Sequence, residues 1–171
     1  MMGAMIVQSP IGTLTLVEQG DALTEVRFGE KLMGETLCET ALLLQAAQEL
    51  DEYFQGMRRA FSVPLAPKGT PFQLRCWHAL CAIPYGETRT YAQQAALIGS
   101  PKACRAVGMG NHHNPLPIFI PCHRVVGKKG TLTGYAGGLD IKQQLLTLER
   151  MNHHDPAQDQ DRLHNGPLHG E

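Results

Sequence analysis

No stretch of this 171-residue chain stays apolar for the roughly 18 to 20 residues a membrane helix needs, so a membrane-spanning reading is excluded. The opening Met1-Met2-Gly3-Ala4-Met5 lacks a positive segment followed by an apolar one, so export is not expected and a cytoplasmic location is. No CxxC occurs. The five cysteines (Cys38, Cys76, Cys81, Cys104, Cys122) are odd in number and widely spaced, which suits free thiols better than a disulfide framework. Eight histidines raise the question of zinc, but His112-His113 and His153-His154 are adjacent pairs, poorly placed to clamp one ion together. Residues 1–68 contain no histidine and one cysteine, Cys38, so neither a metal nor a cofactor is expected.

A strong charge of either sign is also missing from the total, which is -1. The distribution is uneven, however. Residues 1–68 hold 5 Lys/Arg against 9 Asp/Glu, residues 69–151 hold 9 against 3, and residues 152–171 hold 1 against 4. A basic middle segment of net +6 is what a face turned toward a polyanion would carry, although chance clustering of solvated charges produces the same arithmetic.

The N-terminal segment reads as a small antiparallel meander. Strands over 5–8 and 13–17 flank the turn Ser9-Pro10-Ile11-Gly12, and a third strand covers 22–28. A helix is predicted over 35–55, with Leu43, Ala47, Leu50 and Phe54 forming its apolar stripe. Pro64, Pro67 and Gly69 mark a linker, which places domain boundaries at 1–68 and 69–151. The second domain opens with Thr70-Pro71 as cap and first turn of a helix carrying Phe72, Cys76, Leu80 and Ile83, stopped at Pro84-Tyr85-Gly86. A short helix follows from the cap Thr90 through Leu97, and another opens at Ser100-Pro101 and ends at Gly108 and Gly110. This is the helix-turn-helix pattern, weakly specific by itself. In its second helix only Lys102 and Arg105 are long among small residues. Such a face suits close approach to a ligand surface and suits internal packing equally well. Residues 152–171, polar but for Leu163 and Leu168, are expected to be a disordered tail with solvated His153, His154, His164 and His169.

The chemistry concentrates at 114–127. The apolar run Leu116–Ile120 is bracketed by prolines and delivers Cys122 to a dry environment, where a thiol is normally inert. Adjacent His123 and Arg124 offer a base and a positive charge that favour thiolate. Neighbouring side chains on a strand point to opposite faces, so His123 serves Cys122 only if Pro121 forces a tight turn. The plain alternative is a core cysteine.

Ile120-Pro121-Cys122-His123-Arg124-Val125 resembles the acceptor motif of the O6-alkylguanine-DNA alkyltransferases, the methylated-DNA–protein-cysteine methyltransferases. Thr90-Tyr91, Arg105-Ala106-Val107-Gly108, Asn114-Pro115, Gly134-Tyr135-Ala136-Gly137-Gly138 and Leu145-Leu146-Thr147-Leu148-Glu149 resemble further blocks in the same order. The resemblance implies an α+β molecule: a ribonuclease-H-like N-terminal domain, then a mainly helical C-terminal domain of winged helix-turn-helix type. It implies direct reversal of DNA damage, with a methyl or alkyl group moved irreversibly from O6 of guanine, and less readily O4 of thymine, to Cys122. By that resemblance His123 polarises the thiol through a water and Glu149 orients the histidine. Glu149, four after Leu145, would border an inward stripe of Ile141, Leu145 and Leu148. Tyr91 would protonate the leaving base, Asn114 would brace the turn, and Val125 and Tyr135 would wall the base pocket. Arg105 would fill the space left by a flipped base in double-stranded DNA while Ala106 and Gly108 lie close in the minor groove. Ala136 stands where some relatives have serine. The protein would act as a monomer, with cooperative assembly on DNA left open. A Cys-His-Glu hydrolase and a non-catalytic module that binds alkylated DNA remain as alternatives.

Overall fold

The computed structural model describes residues 2–153, so the expected tail lies outside the described residues from position 154 onward, together with His154, His164 and His169. Strands β1 (Met2–Ser9), β2 (Gly12–Gln19) and β3 (Ala22–Phe28) make the expected meander. Ser9 Oγ donates to the Gly12 carbonyl at 2.6 Å across the first turn, where Gly12 takes φ 110°. That φ is cheap only for glycine. Leu14 and Leu16 alternate with Thr15 and Val17 along β2, and all four are buried, so both faces of the central strand are covered.

The predicted helix over 35–55 starts too early. Thr36–Leu37 form a fourth strand, β4, parallel to β1, which gives the order β3-β2-β1-β4. Thr40 then ends the extended segment. Its Oγ1 accepts from the Leu43 amide at 3.2 Å and donates to Glu18 at 2.8 Å, and α1 (Ala41–Phe54) begins there. The apolar stripe begins only at Leu43, so nothing in it required helix before residue 40. Leu43, Ala46, Leu50 and Tyr53 point inward, a small rotation from the expected face that leaves Ala47 and Phe54 half-buried. Buried Glu49 accepts from the amides of Ser62 and Val63 at 2.8 and 3.1 Å, tying the returning chain to α1. That chain covers the edge of β3: Leu23 donates to Pro64 and accepts from Ala66, and Val26 donates to Pro115. The exposed backbone of an edge strand is thereby paired.

The C-terminal part opens with α2 (Pro71–Cys81) and α3 (Tyr91–Leu97). Each begins with a capping box, Thr70 with Gln73 and Thr90 with Gln93. The helix expected from Ser100-Pro101 to Gly108 is displaced: α4 runs Cys104–His112, with Gly108 and Gly110 inside it. These glycines permit close packing and do not stop the helix. A Cβ on Gly110 would meet Cys76 Sγ at 3.2 Å, and Trp77 Nε1 donates to the Gly110 carbonyl at 2.9 Å. Gln94 of α3 and Asn111 of α4 exchange two buried amide hydrogen bonds of 2.8 and 2.7 Å. Strands β5 (Arg89–Thr90) and β6 (Val125–Val126) pair in parallel.

Helix α5 (Leu139–Met151) presents Lys142, Leu145, Leu146 and Glu149 to the interior, while Ile141 and Leu148 of the expected stripe are half-buried. Asn152, placed by sequence in the tail, is anchored: its carbonyl accepts from Arg59 at 2.9 Å and its amide donates to Leu148 at 2.8 Å. One hydrophobic core joins both parts of the chain, with Tyr53, Trp77, Leu80 and Leu145 in the same cluster. The architecture is α+β.

Candidate active site

Directly after Pro121, Cys122–Arg124 form a single 3-10 turn, the tight turn the sequence required at that point. The segment before it is set by Asn114, whose Oδ1 accepts from the Leu116 amide at 2.9 Å and whose Nδ2 donates to the Ile120 carbonyl at 2.8 Å. Ile118 sits at φ 76°, a costly conformation for a β-branched residue, held by burial and by the Ile120-to-Leu116 backbone hydrogen bond of 2.8 Å. Strain is thus stored four residues before Cys122 in the chain.

Behind the turn lies a buried chain of polar contacts centred on Glu149. His123 Nε2 approaches Glu149 Oε2 at 2.6 Å. Arg124 donates from Nε to Oε1 at 2.8 Å and from Nη2 to Oε2 at 3.1 Å. The Tyr53 hydroxyl donates to Oε2 at 2.6 Å, and the Gly86 amide reaches Oε1 at 3.3 Å. Although burial resists ionisation, His123 and Arg124 together hold the Glu149 carboxyl down at about 2. An ionised carboxylate can only accept, so His123 carries its proton on Nε2 and leaves Nδ1 as a lone-pair acceptor. That Nδ1 is buried and makes no hydrogen bond to a described protein atom. Burial also lowers the pKa of His123, which keeps the ring neutral.

The thiol is tuned differently from the sequence-based expectation. Burial pushes the Cys122 pKa up, and the Asn114 amide and the Lys142 ammonium only partly offset it. The resting group is therefore a thiol. Arg124, expected to supply the favourable charge, is committed to Glu149 and to the Ile83 carbonyl at 2.7 Å. Lys142 supplies it instead. Fully buried, its Nζ donates to the carbonyls of Val125 and Thr133 at 2.6 and 2.7 Å and lies 3.4 Å from that of Gly134.

Cys122 opens onto a cleft of about 50 Å³ shared with Tyr91, Gly108, His112, Tyr135 and Ala136. Tyr91 is the first residue of α3; its ring packs 3.7 Å from where a Cβ of Gly108 would be, and its hydroxyl accepts from Thr133 at 3.1 Å. The Tyr135 hydroxyl is buried and has no hydrogen-bond partner among the described residues. Of the residues singled out by sequence, Cys122, Tyr91, Gly108 and Tyr135 meet at this cleft, and His123, Glu149 and Asn114 support it from within. Val125 contributes a carbonyl to Lys142, its side chain being wholly buried, and Arg105 and Ala106 are exposed on α4 outside the cleft. His112 joins the cleft without having been given a role. Sequence reasoning missed Lys142 and Tyr53. Lys142 had a signal, since it lies seven residues before Glu149 and so shares its helix face; Tyr53 had none.

A larger apolar groove of about 810 Å³, lined by Leu65, Leu74, Trp77 and Leu97 among others, also includes Cys81 and His78, and burial pushes the Cys81 thiol up. Among the described residues no cluster of three or more His, Cys, Asp or Glu side chains could hold a metal, and no helix is long and apolar enough to cross a membrane.

Two family models match the chain: the ribonuclease-like domain of 6-O-methylguanine DNA methyltransferase over residues 4–67, and its DNA binding domain over 71–151. The constitutive methylated-DNA–protein-cysteine methyltransferase of Bacillus subtilis is 49% identical over 155 residues, covering 85% of this chain and 94% of that protein. The methylated-DNA–protein-cysteine methyltransferase of Methanosarcina barkeri is 48% identical over 152 residues, covering 86% and 96%. Among solved structures, Mycobacterium tuberculosis OGT in complex with DNA superposes with a TM-score of 0.83 at 46% identity, over 88% of this chain and 94% of that one.

Proposed function

The chain belongs to the 6-O-methylguanine DNA methyltransferase family, and from that premise we infer that it repairs alkylated DNA by direct reversal, with Cys122 as the alkyl acceptor. The observation that carries this reading is the buried pair of His123 and Glu149, next in the chain to Cys122, in which the ring nitrogen left free to take a proton is Nδ1 of His123. His123 removes the thiol proton, the sulfur attacks the alkyl carbon in line, and the carbon–O6 bond breaks with its electron pair passing to the guanine. Tyr91, at the cleft, returns a proton to the departing base. Lys142 stabilises the thiolate formed in passing and, through its carbonyl contacts, holds the wall that Tyr135 belongs to. Asn114 fixes the turn.

A stacked base cannot bring its O6 to this cleft, so the nucleotide is flipped out of the duplex at a cost of a few kcal/mol. The cleft as it stands holds no more than a few waters, so the segment 133–136 yields when the base enters. Helix α4 approaches the minor groove along its small residues, Ala106 and Gly108, and exposed Arg105 occupies the vacated place. The net +6 over residues 69–151 attracts phosphates without reading sequence. Residues 1–68 and 69–151 act as two domains sharing one core, and the protein binds as a monomer. The product is a thioether with no good leaving group, so each molecule acts once.

Intact mass measurement after incubation with O6-methylguanine duplex tests this. One gain of roughly 14 Da, a methyl replacing a hydrogen, followed by inactivity identifies a covalent acceptor. Repeated turnover would indicate a hydrolase, and binding without a mass change would indicate a lesion-binding module. Cys122→Ala abolishes the gain and leaves DNA affinity near wild type.

A further inference from the structure

We propose that Tyr53 is a positioning residue for the alkyl transfer: its hydroxyl, delivered from helix α1 of the N-terminal part, holds the Glu149 oxygen on which His123 rests. The inference deepens the assignment of Cys122, His123 and Glu149 given above and depends on it.

Tyr53 and Glu149 are 96 residues apart in sequence, on α1 and α5, yet their oxygens are 2.6 Å apart. The acceptor is Oε2, the same atom that receives His123 Nε2 at 2.6 Å. Packing alone does not call for that hydroxyl. The Tyr53 ring is held among Phe54, Phe61 and Tyr85, with centroids 5.3 to 6.2 Å away, and a phenylalanine would fill the same space. What phenylalanine would not do is donate to the carboxylate. The neighbours of Glu149 explain why that donation matters. His123 and Arg124 reach it from the 3-10 turn, the Gly86 amide from the loop after α2, and Tyr53 from α1. Tyr85 stands beside the group, with the guanidinium carbons of Arg59 and Arg124 at 5.3 and 5.7 Å from its ring centroid. Arg124 is shared between both carboxylate oxygens, so Tyr53 is the neutral donor that divides Oε2 with the histidine.

The direction of the effect follows from that division. With the hydroxyl gone, Oε2 keeps more of its negative charge and grips His123 harder. The imidazole becomes more basic, is protonated at higher pH, and then cannot accept the thiol proton. The N-terminal part thereby enters the chemistry through one oxygen.

The test compares wild type with Tyr53→Phe, following alkylation of Cys122 by O6-benzylguanine across pH 5 to 9 with peptide mass spectrometry, alongside thermal melting and duplex DNA binding. The expected result is a rate about tenfold lower on the acid limb, the fold-change matching a hydrogen bond to a charged group at the low end of its range. The acid limb moves to higher pH, and DNA affinity is unchanged. In a Glu149→Gln background the same substitution should have no further effect, since the carboxylate through which it acts is gone. An unmoved acid limb with only a lower melting temperature overturns the proposal, as does an additive loss in the Glu149→Gln background. A wild type that takes up no alkyl group would overturn the assignment of Cys122 as well, so the two failures are distinguishable.

Discussion

Lys142 Nζ donates to the Val125 carbonyl at 2.6 Å, which places a buried cation three residues along the chain from the acceptor cysteine. Because the same ammonium holds the Thr133 carbonyl, one side chain both stabilises the thiolate and fastens the segment opposite it. Burial lowers the pKa of Lys142, and proximity to Cys122 pulls it back up.

Replacing Lys142 separates these effects. Lys142→Met should slow Cys122 alkylation by about tenfold or more and shift its pH dependence upward, since the thiolate loses its counter-charge. It should also cost about 2–4 kcal/mol of stability by orphaning buried carbonyls. Lys142→Arg should recover part of the pH dependence. Iodoacetamide labelling of Cys122 against pH, with chemical denaturation alongside, checks both.

Acid should destabilise the protein in two stages. Burial lowers the pKa of His123, so the folded state resists its protonation and stability falls as pH drops below the ordinary histidine value of about 6.5. Glu149, held at about 2 against an ordinary 4.5, contributes stability that is full above 4.5 and is lost as pH falls toward 2. That second contribution is on the order of 3 kcal/mol. Glu149→Gln should flatten the melting-temperature curve between pH 4.5 and 2 while lowering it at pH 7.

Arg105 is exposed on α4 and touches nothing in the cleft. Arg105→Ala should therefore lower repair of O6-methylguanine in duplex DNA by about tenfold, with reaction toward free O6-benzylguanine unchanged. Equal losses on both substrates would remove it from the base-flipping step. Paired rate measurements on the two substrates decide.

The reciprocal amide pair of Gln94 and Asn111 joins the two helices of the helix-turn-helix. Gln94→Leu or Asn111→Leu alone should cost about 1–3 kcal/mol, because each leaves a buried amide unpaired. The double variant should cost less than the two single losses combined. Urea denaturation of the four proteins reads the coupling.

Much of the site could be read along the chain because it is local. Asn114, Pro121, Cys122 and His123 lie within ten residues, and the caps Thr70 and Thr90 announce α2 and α3 by their own chemistry. The misplacements were of another kind. Residues 36–37 became a strand because β1 offered them an open edge, and Gly108 and Gly110 read as breakers while serving as contact surfaces. Glycine has the same letter in both uses, and only the neighbour at 3.2 Å separates them. Arg124 was assigned to the thiol by adjacency, but its side chain reaches away toward Glu149 and the carbonyl of Ile83.

The order of residues by itself set a cysteine and a histidine side by side after Pro121 and gathered the basic charge into the second half of the molecule. Each depends on side-chain type or on spacing within a few positions. The tertiary structure decided which charges face the sulfur. Tyr53, Lys142 and Glu149 come from helices far apart in the chain, and the strength of their contacts comes from burial in a shared core. A pKa is a property of surroundings, and those surroundings exist only once α1 and α5 have closed over the turn.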